Sequence, residues 1–333
     1  MQKKKVLLIT YGHRDHASSR IRAINHFDRL KDVFETTWIP RVLENPQKGV
    51  LNKIIFALAK RWQAVKLWWA IIWGSFDIVF VQVVFLPGWC LLILRKKKTL
   101  ICFDFDDAVY TYSQTDFDIM MQYADKIIVA TPYLQEHIKR YSKECRVIFS
   151  PVDTEIIIPG KNTQAVFTIG WVGSQWTLPY LELLIPAFKK MVQNGVAFKL
   201  LVSGAEISIE GVDVECIAWS EQNELQALGK IDIGIMPLKN DEWSKMKGGY
   251  KLYLYMAAGR PMVASPYGIN ADIIKNGITG YLAESYDEWI AAFEKLQNDV
   301  VLRRNMGALA RQEAEQKYSY RACTQQLVDF LNN

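Results

Sequence analysis

The chain has 333 residues, half of them hydrophobic and 23% charged, which is too long for one core of usual size and too apolar for a disordered or low-complexity protein. Five cysteines (Cys90, Cys102, Cys145, Cys216, Cys323) lie far apart with no C-x-x-C pair, so neither a disulfide framework nor a zinc site is indicated, and a reducing cytoplasm fits. Net charge is +5 and uneven: residues 1–160 carry 23 Lys and Arg against 16 Asp and Glu, residues 161–333 carry 17 against 19, and the first half is expected to face an anionic partner.

The opening MQKKKVLLIT is basic, but its apolar run ends after Ile9, too soon for a signal peptide. Short apolar runs at residues 5–10, 36–39, 78–82, 99–105, 126–130 and 146–150 read as strands separated by longer amphipathic segments, the pattern of βα units in a parallel sheet. The uncharged stretch 78–94 contains Gln82, Pro87 and Gly88, and reads as a strand, a turn and a helix start rather than a membrane span.

Residues 53–73 predict an amphipathic helix, with Ile54, Leu58, Trp62, Val65, Trp69 and Ile72 on one stripe expected to be core. Its other side mixes Lys53, Lys60 and Arg61 with Phe56, Leu67 and Trp68, which suits either a second buried contact or docking on an anionic bilayer surface.

Residues 152–164, with Pro159 and Gly160, read as an interdomain linker. The strand pattern then restarts at 167–172, 199–203, 214–217, 231–237 and 261–265. The fold class expected is α/β, with a Rossmann-like domain over 1–155, a second over 156–310, and a helical tail over 311–333 in which Ser319 caps the last helix. Residues 301–330 place Leu302, Met306, Leu309 and Ala310 at helical spacing. In such sheets ligands bind at the carboxyl ends of strands, so chemistry is sought on the loops that follow them.

Two places stand out. The strand ending near Phe105 delivers Asp104, Asp106 and Asp107, of which Asp106 and Asp107 are favoured as a pair able to take a hydroxyl proton or steady positive charge; a capped, solvated turn is the plainer reading of the same residues. In the second half, Gly248 and Gly249 precede a helix predicted over 250–258 and ended by Gly259. Lys247 and Lys251 flank its opening, where unpaired N–H groups and a partial positive charge suit phosphate. Gly173 and Ser174 follow the first strand of that half and offer further backbone N–H groups. After the first strand of the chain, His16 and Arg20 are four apart and are candidates for a cleft phosphate or an acceptor. No metal set and no nucleic-acid motif is present.

The run from Lys247-Gly248-Gly249-Tyr250-Lys251 through Met256-Ala257-Ala258-Gly259-Arg260-Pro261 to Pro266-Tyr267-Gly268-Ile269-Asn270, followed by Thr279-Gly280, resembles the donor-site segment of family 4 GT-B glycosyltransferases. The stretch Phe103-Asp104-Phe105-Asp106-Asp107, Pro151-Val152-Asp153 and Gly170-Trp171-Val172-Gly173-Ser174 are similar to bacterial members that build surface polysaccharides.

The resemblance implies a GT-B fold of two Rossmann-like domains with parallel sheets facing across a cleft. It implies a nucleotide-diphosphate sugar as donor, a glycan or lipid-linked acceptor, hexosyl transfer with retention, and no cofactor or obligatory metal. It also implies a last helix that packs back toward the first domain, while the cysteine pattern and the 53–73 helix suit a cytoplasmic protein, peripheral at the inner face of the cell membrane. Where most members have two glutamates this chain has Met246 and Leu254. That departure leaves the ribose contact unassigned and puts a nucleotide-sugar 2-epimerase, or an inactive glycan-binding scaffold on the same fold, beside the transferase.

Overall fold

The computed structural model describes residues 3–41, 50–160 and 166–333. Its chain divides into two compact units, Met1–Ser150 with Thr324–Asn333, and Pro151–Cys323. The sequence reading put the first boundary at 155 and began the tail at 311. The structure starts the second unit at Pro151 because Arg311 donates to the carbonyls of Thr154 (2.6 Å), Ile157 (2.6 Å) and Ala257 (2.5 Å). The described part of the expected linker is therefore fastened to the second unit, and the rest of it, residues 161–165, falls outside the described residues.

In the first unit, β1 (Lys4–Thr10), β2 (Phe34–Pro40), β3 (Ile78–Gln82), β4 (Leu100–Phe105), β5 (Lys126–Val129) and β6 (Glu144–Val147) form a parallel sheet in the order β2-β1-β3-β4-β5-β6. Val6, Leu7, Val79, Phe80, Ile101 and Phe103 are all buried, as central parallel strands covered on both faces require. Helix α1 (Val50–Trp73) packs beside α2 (Gly88–Lys96) and β2.

The second sheet comprises β7 (Thr168–Val172), β8 (Lys199–Ser203), β9 (Asp213–Ile217), β10 (Ile233–Met236), β11 (Met262–Ala264) and β12 (Gly280–Leu282), ordered β12-β11-β10-β7-β8-β9 and again parallel. Its core closes around Trp171, Phe188, Trp289 and Phe293. Helix α3 (Tyr250–Ala257) is buried nearly all round, from Leu252 to Ala257, and α4 (Val300–Glu313) packs against it. Of the stripe expected here, Met306 and Ala310 are buried while Leu309 is 43% exposed, so α4 uses a narrower face than its periodicity implied.

After a π-helical turn, Ala314–Tyr318, α5 (Tyr320–Asn332) starts at Ser319, whose Oγ accepts from the Ala322 N–H at 3.2 Å. The last residues dock on the first unit's own strands: Lys126 Nζ donates to the Phe330 carbonyl at 2.7 Å, and the Lys126 and Arg146 cations lie 4.8 and 4.9 Å from the Phe330 ring centroid.

The stripe expected to be core on α1 is not. Ile54, Leu58, Trp62, Val65, Trp69 and Ile72 are 40–67% exposed, and α1 is held instead through Ala64, Leu67 and the fully buried Ile71. Lys53, Lys60 and Arg61 are exposed, Phe56 is half-buried, and Trp68 meets Trp89 edge to face at 5.7 Å. Among the described residues no helix is long and apolar enough to cross a membrane.

Candidate functional site

In the second unit the site grows from two loops at strand carboxyl ends. β7 runs into Gly173, Ser174 and a single helical turn, Gln175–Thr177, that Ser174 and Thr177 cap reciprocally. Beyond β10, the short helix Glu242–Lys245 leads through Lys247 and Gly248 to Gly249 at φ 70°, a left-handed residue that turns the chain into α3. A side chain at Gly249 would also meet Ile273 at 2.6 Å.

Helix α3 places Lys251 against the β7 loop. Its Nζ lies 4.2 Å from the Trp171 ring centroid and 3.4 Å from Thr177 Oγ1, and a Cβ at Gly173 would come within 2.8 Å of it. Among the described residues no carboxylate is within ion-pair distance. Burial, and then the Lys247 charge, pull the Lys251 ammonium down to about 7 from its ordinary 10.5. Lys247 sits over the rings of Tyr180 (5.3 Å) and Trp243 (5.7 Å). Tyr255 anchors the helix beneath: its hydroxyl accepts from the Val172 N–H at 2.9 Å and donates to the Ile235 carbonyl at 3.3 Å.

Lys247, Gly248, Gly249 and Lys251 thus converge at one helix opening, next to Gly173. The two amides expected to serve as donors there do not. The Gly173 N–H goes to the Ser203 carbonyl (2.9 Å) and the Ser174 N–H to Thr177 Oγ1 (3.1 Å), so Gly173 contributes room and Ser174 a capped turn. Leu254, 1% exposed, is committed to the core. Sequence reasoning missed Trp171, Thr177 and Tyr180, whose contacts with the lysines come from separate elements.

In the first unit, Asp106 and Asp107 lie just past β4, both half-buried. His16 caps the short helix Ala17–Ser19, accepting from the Ser19 N–H at 3.4 Å, and stacks edge to face on Tyr11 at 5.1 Å. Burial lowers its pKa, and the Asp106 charge raises it in part, so His16 and Asp106 share one electrostatic neighbourhood. Asp107 and Asp106 also act on Tyr112, whose phenol burial and these charges push up.

Arg20 lies in the segment that follows β1. It is 6% exposed, and its Nη1 donates to the Arg14 carbonyl at 2.8 Å, closing the loop between β1 and the first helix. The third aspartate, Asp104, belongs to the frame: Arg22 grips it at 2.5 and 3.0 Å and also reaches the Ile148 carbonyl and Ser150 Oγ. Gln82, at the end of β3, knits the β1 loop, accepting from the Tyr11 N–H and Ser19 Oγ and donating to Ser18 Oγ. Its signal was a lone amide in an apolar run. Val83 follows at φ 60°, a strained conformation for a β-branched residue, held by its N–H on the Asp104 carbonyl.

Residues 166–299 match the family described as glycosyl transferases group 1. The chain is 26% identical over 179 residues to the capsular polysaccharide biosynthesis glycosyltransferase CapM of Staphylococcus aureus; the match covers 50% of this chain and 46% of that relative, so the chain spans about half the length of the curated relative it resembles. Among solved structures it is similar to a sucrose-phosphate synthase from Thermosynechococcus elongatus (TM-score 0.74, 16% identity, 99% and 98% of the two chains). It is also similar to Anabaena HepE solved in complex with UDP and glucose (TM-score 0.70, 13% identity, all of both chains).

Proposed function

We propose that this chain transfers a hexosyl group from a nucleotide-diphosphate sugar to a hydroxyl of a glycan, free or lipid-linked, in building a surface polysaccharide, a reading supported by its two six-stranded parallel sheets and by the match of residues 166–299 to the glycosyl transferases group 1. The observation that carries this reading is Lys251: a lysine tucked between the Trp171 ring and the Gly173 backbone, without a carboxylate among the described residues, is a charge waiting for an anion. The opening of α3 adds its partial positive charge, and Lys247 a second ammonium.

A departing diphosphate there is neutralised by side chains, so transfer needs no metal. On this reading Asp106 or Asp107 takes the acceptor proton or steadies the oxocarbenium-like sugar. Transfer with retention is part of the proposal. The donor class draws on HepE, solved with UDP and glucose, and the pathway on CapM, named for capsular polysaccharide biosynthesis.

Calorimetry with the diphosphates of uridine, guanosine, adenosine and thymidine tests the donor site, in wild type and in Lys251→Ala with EDTA present. One of the four should bind to wild type and lose at least tenfold affinity in the variant. Binding of none, or equal binding by both proteins, would remove the assignment. Product analysis with the matching nucleotide sugar separates transfer, which needs an acceptor, from 2-epimerisation, which does not.

A further inference from the structure

The lysines of the candidate donor site stand where α3 begins; a second set of cations gathers where it ends. A cavity of about 480 Å³ opens in the second unit at the amino ends of β10 and β11, lined by Arg260, Arg303, Arg304 and Arg311 with a single acid, Asp232. Three of the arginines come from α4, whose residues 300–311 contain no acid. Gly307 lets α4 lie this close to the end of α3, since a Cβ there would strike the Gly259 carbonyl.

The four guanidinium groups are not equivalent. Arg311 is spent on the carbonyls of Thr154, Ile157 and Ala257 and on the Glu315 carboxylate. Arg303 donates to the carbonyls of Leu296 and Gln297 and pairs with Asp232 at 3.2 Å, while Asp232 also accepts from the Thr168 N–H at 2.9 Å. These two arginines frame the cavity.

Arg260 and Arg304 have donors to spare. Arg260 is 8% exposed and gives N–H groups to the carbonyls of Leu228 (3.3 Å) and Gly229 (3.1 Å), about two of the five that a guanidinium carries. Among the described residues no carboxylate lies within ion-pair distance of it, and a buried charge without a counter-ion is costly. Arg304 is exposed and has no hydrogen-bond or ion-pair partner among the described residues. The remaining wall is apolar, from Pro159, Pro261, Val300 and Ala308. A bare inorganic anion would engage the cations and leave that wall wet, whereas a cavity of this size suits a small organic molecule. A phosphate ester carries nearly two negative charges at neutral pH, a match for two guanidinium groups whose fork fits its oxygens.

We propose that this cavity binds a small organic phosphomonoester, its phosphate on Arg260 and Arg304 and its carbon skeleton against Pro159, Pro261 and Val300. The site lies at the end of α3 opposite Lys251 and takes no part in transfer, so it stands or falls apart from the proposed function. A sugar phosphate and a nucleoside monophosphate share this chemistry.

Calorimetry at pH 7.5 tests it on the full chain, wild type and Lys251→Ala, with ribose 5-phosphate, uridine monophosphate, ribose and inorganic phosphate. One ester at least should bind both proteins alike, at least tenfold more tightly than inorganic phosphate and more weakly as salt is added, while ribose does not bind. Which ester binds tells the two sources apart.

Arg304→Ala, at an exposed position, should cost at least tenfold in affinity, and Arg304→Lys should recover part of it. Ala308→Trp, which fills the cavity from an exposed position on α4, should abolish binding, with thermal unfolding of the unliganded variants as the check on folding. Binding of neither ester, inorganic phosphate binding as tightly as the ester, loss of binding in Lys251→Ala, or binding unchanged in both Arg304→Ala and Ala308→Trp would each overturn the proposal.

Discussion

The Lys251 ammonium rests 4.2 Å from the centroid of the Trp171 ring, and that indole face, with the Thr177 hydroxyl at 3.4 Å, stands where a carboxylate would otherwise offset its charge. A ring quadrupole offsets only part of a full charge, and Lys247 adds to the deficit, which is why the ammonium is held near 7 rather than 10.5. Between those two values the unfolded chain binds the proton and the folded chain does not. Without ligand, this group's contribution to stability therefore rises with pH from about 7 to 10.5.

Diphosphate binding should run the opposite way. An anion beside Lys251 raises its pKa, so above pH 7 binding takes up a proton and affinity falls, by at most about tenfold per pH unit. Calorimetry in buffers of different ionisation enthalpy should show uptake near one proton at pH 8.5 and little at pH 6. In Lys251→Arg, whose guanidinium stays charged, the pH dependence should flatten.

Gly173→Ala should damage the same site without touching a charge. The added methyl would sit 2.3 Å from the Trp171 ring and 2.8 Å from Lys251 Nζ, so the ring or the lysine must move. Overpacking of this kind costs about 1–3 kcal/mol of stability. Urea denaturation should show that loss, and diphosphate affinity should fall by more than the destabilisation alone would cause in a two-state protein that remains folded at the assay temperature.

Asp106→Asn and Asp107→Asn separate chemistry from donor binding. Both carboxylates belong to the first unit and the lysines to the second. If either carboxylate assists proton transfer, its variant should keep diphosphate affinity and lose about 10²–10⁴-fold in kcat. Since the Asp106 charge raises the His16 pKa, Asp106→Asn should also lower the His16 titration midpoint, which NMR can read.

The strands were legible because buried parallel strands are short apolar runs between breaks: β3 and β8 begin and end where their patterns do. β12 was not, because Gly280–Leu282 is three residues long and carries its pairing in backbone register with β11. The helix opening at Tyr250 and its termination at Gly259 were readable from glycines whose positive φ no other residue adopts cheaply. What each amide near that opening does was not readable. The N–H groups of Gly173 and Ser174 are consumed by Ser203 and Thr177, a matter of which atoms the fold brings together. On α1 the periodicity located an apolar stripe but could not say which way it faces, since Ala64, Leu67 and Ile71 form a second stripe.

The Arg22–Asp104 pair carries the last prediction. Both side chains are within 2% of complete burial, and Arg22 joins β4, through Asp104, to the Ile148 carbonyl and Ser150 beyond β6. Burial pushes the Asp104 carboxyl up to about 6 against the lowering pull of Arg22. Arg22→Met removes that pull and strands the carboxyl, at a cost of about 3–5 kcal/mol near neutral pH. Its folded-state pKa then climbs further above 3.8, so the variant loses stability as pH rises through and beyond 6 and regains some on acidification. Urea midpoints should therefore differ between wild type and variant more at pH 7.5 than at pH 5. Arg22→Met with Asp104→Leu, which leaves no buried charge, should recover part of the loss and remove the pH dependence. A single variant as stable as wild type at pH 7.5 would mean that this pair is not what fastens the β4 end to the loop after β6.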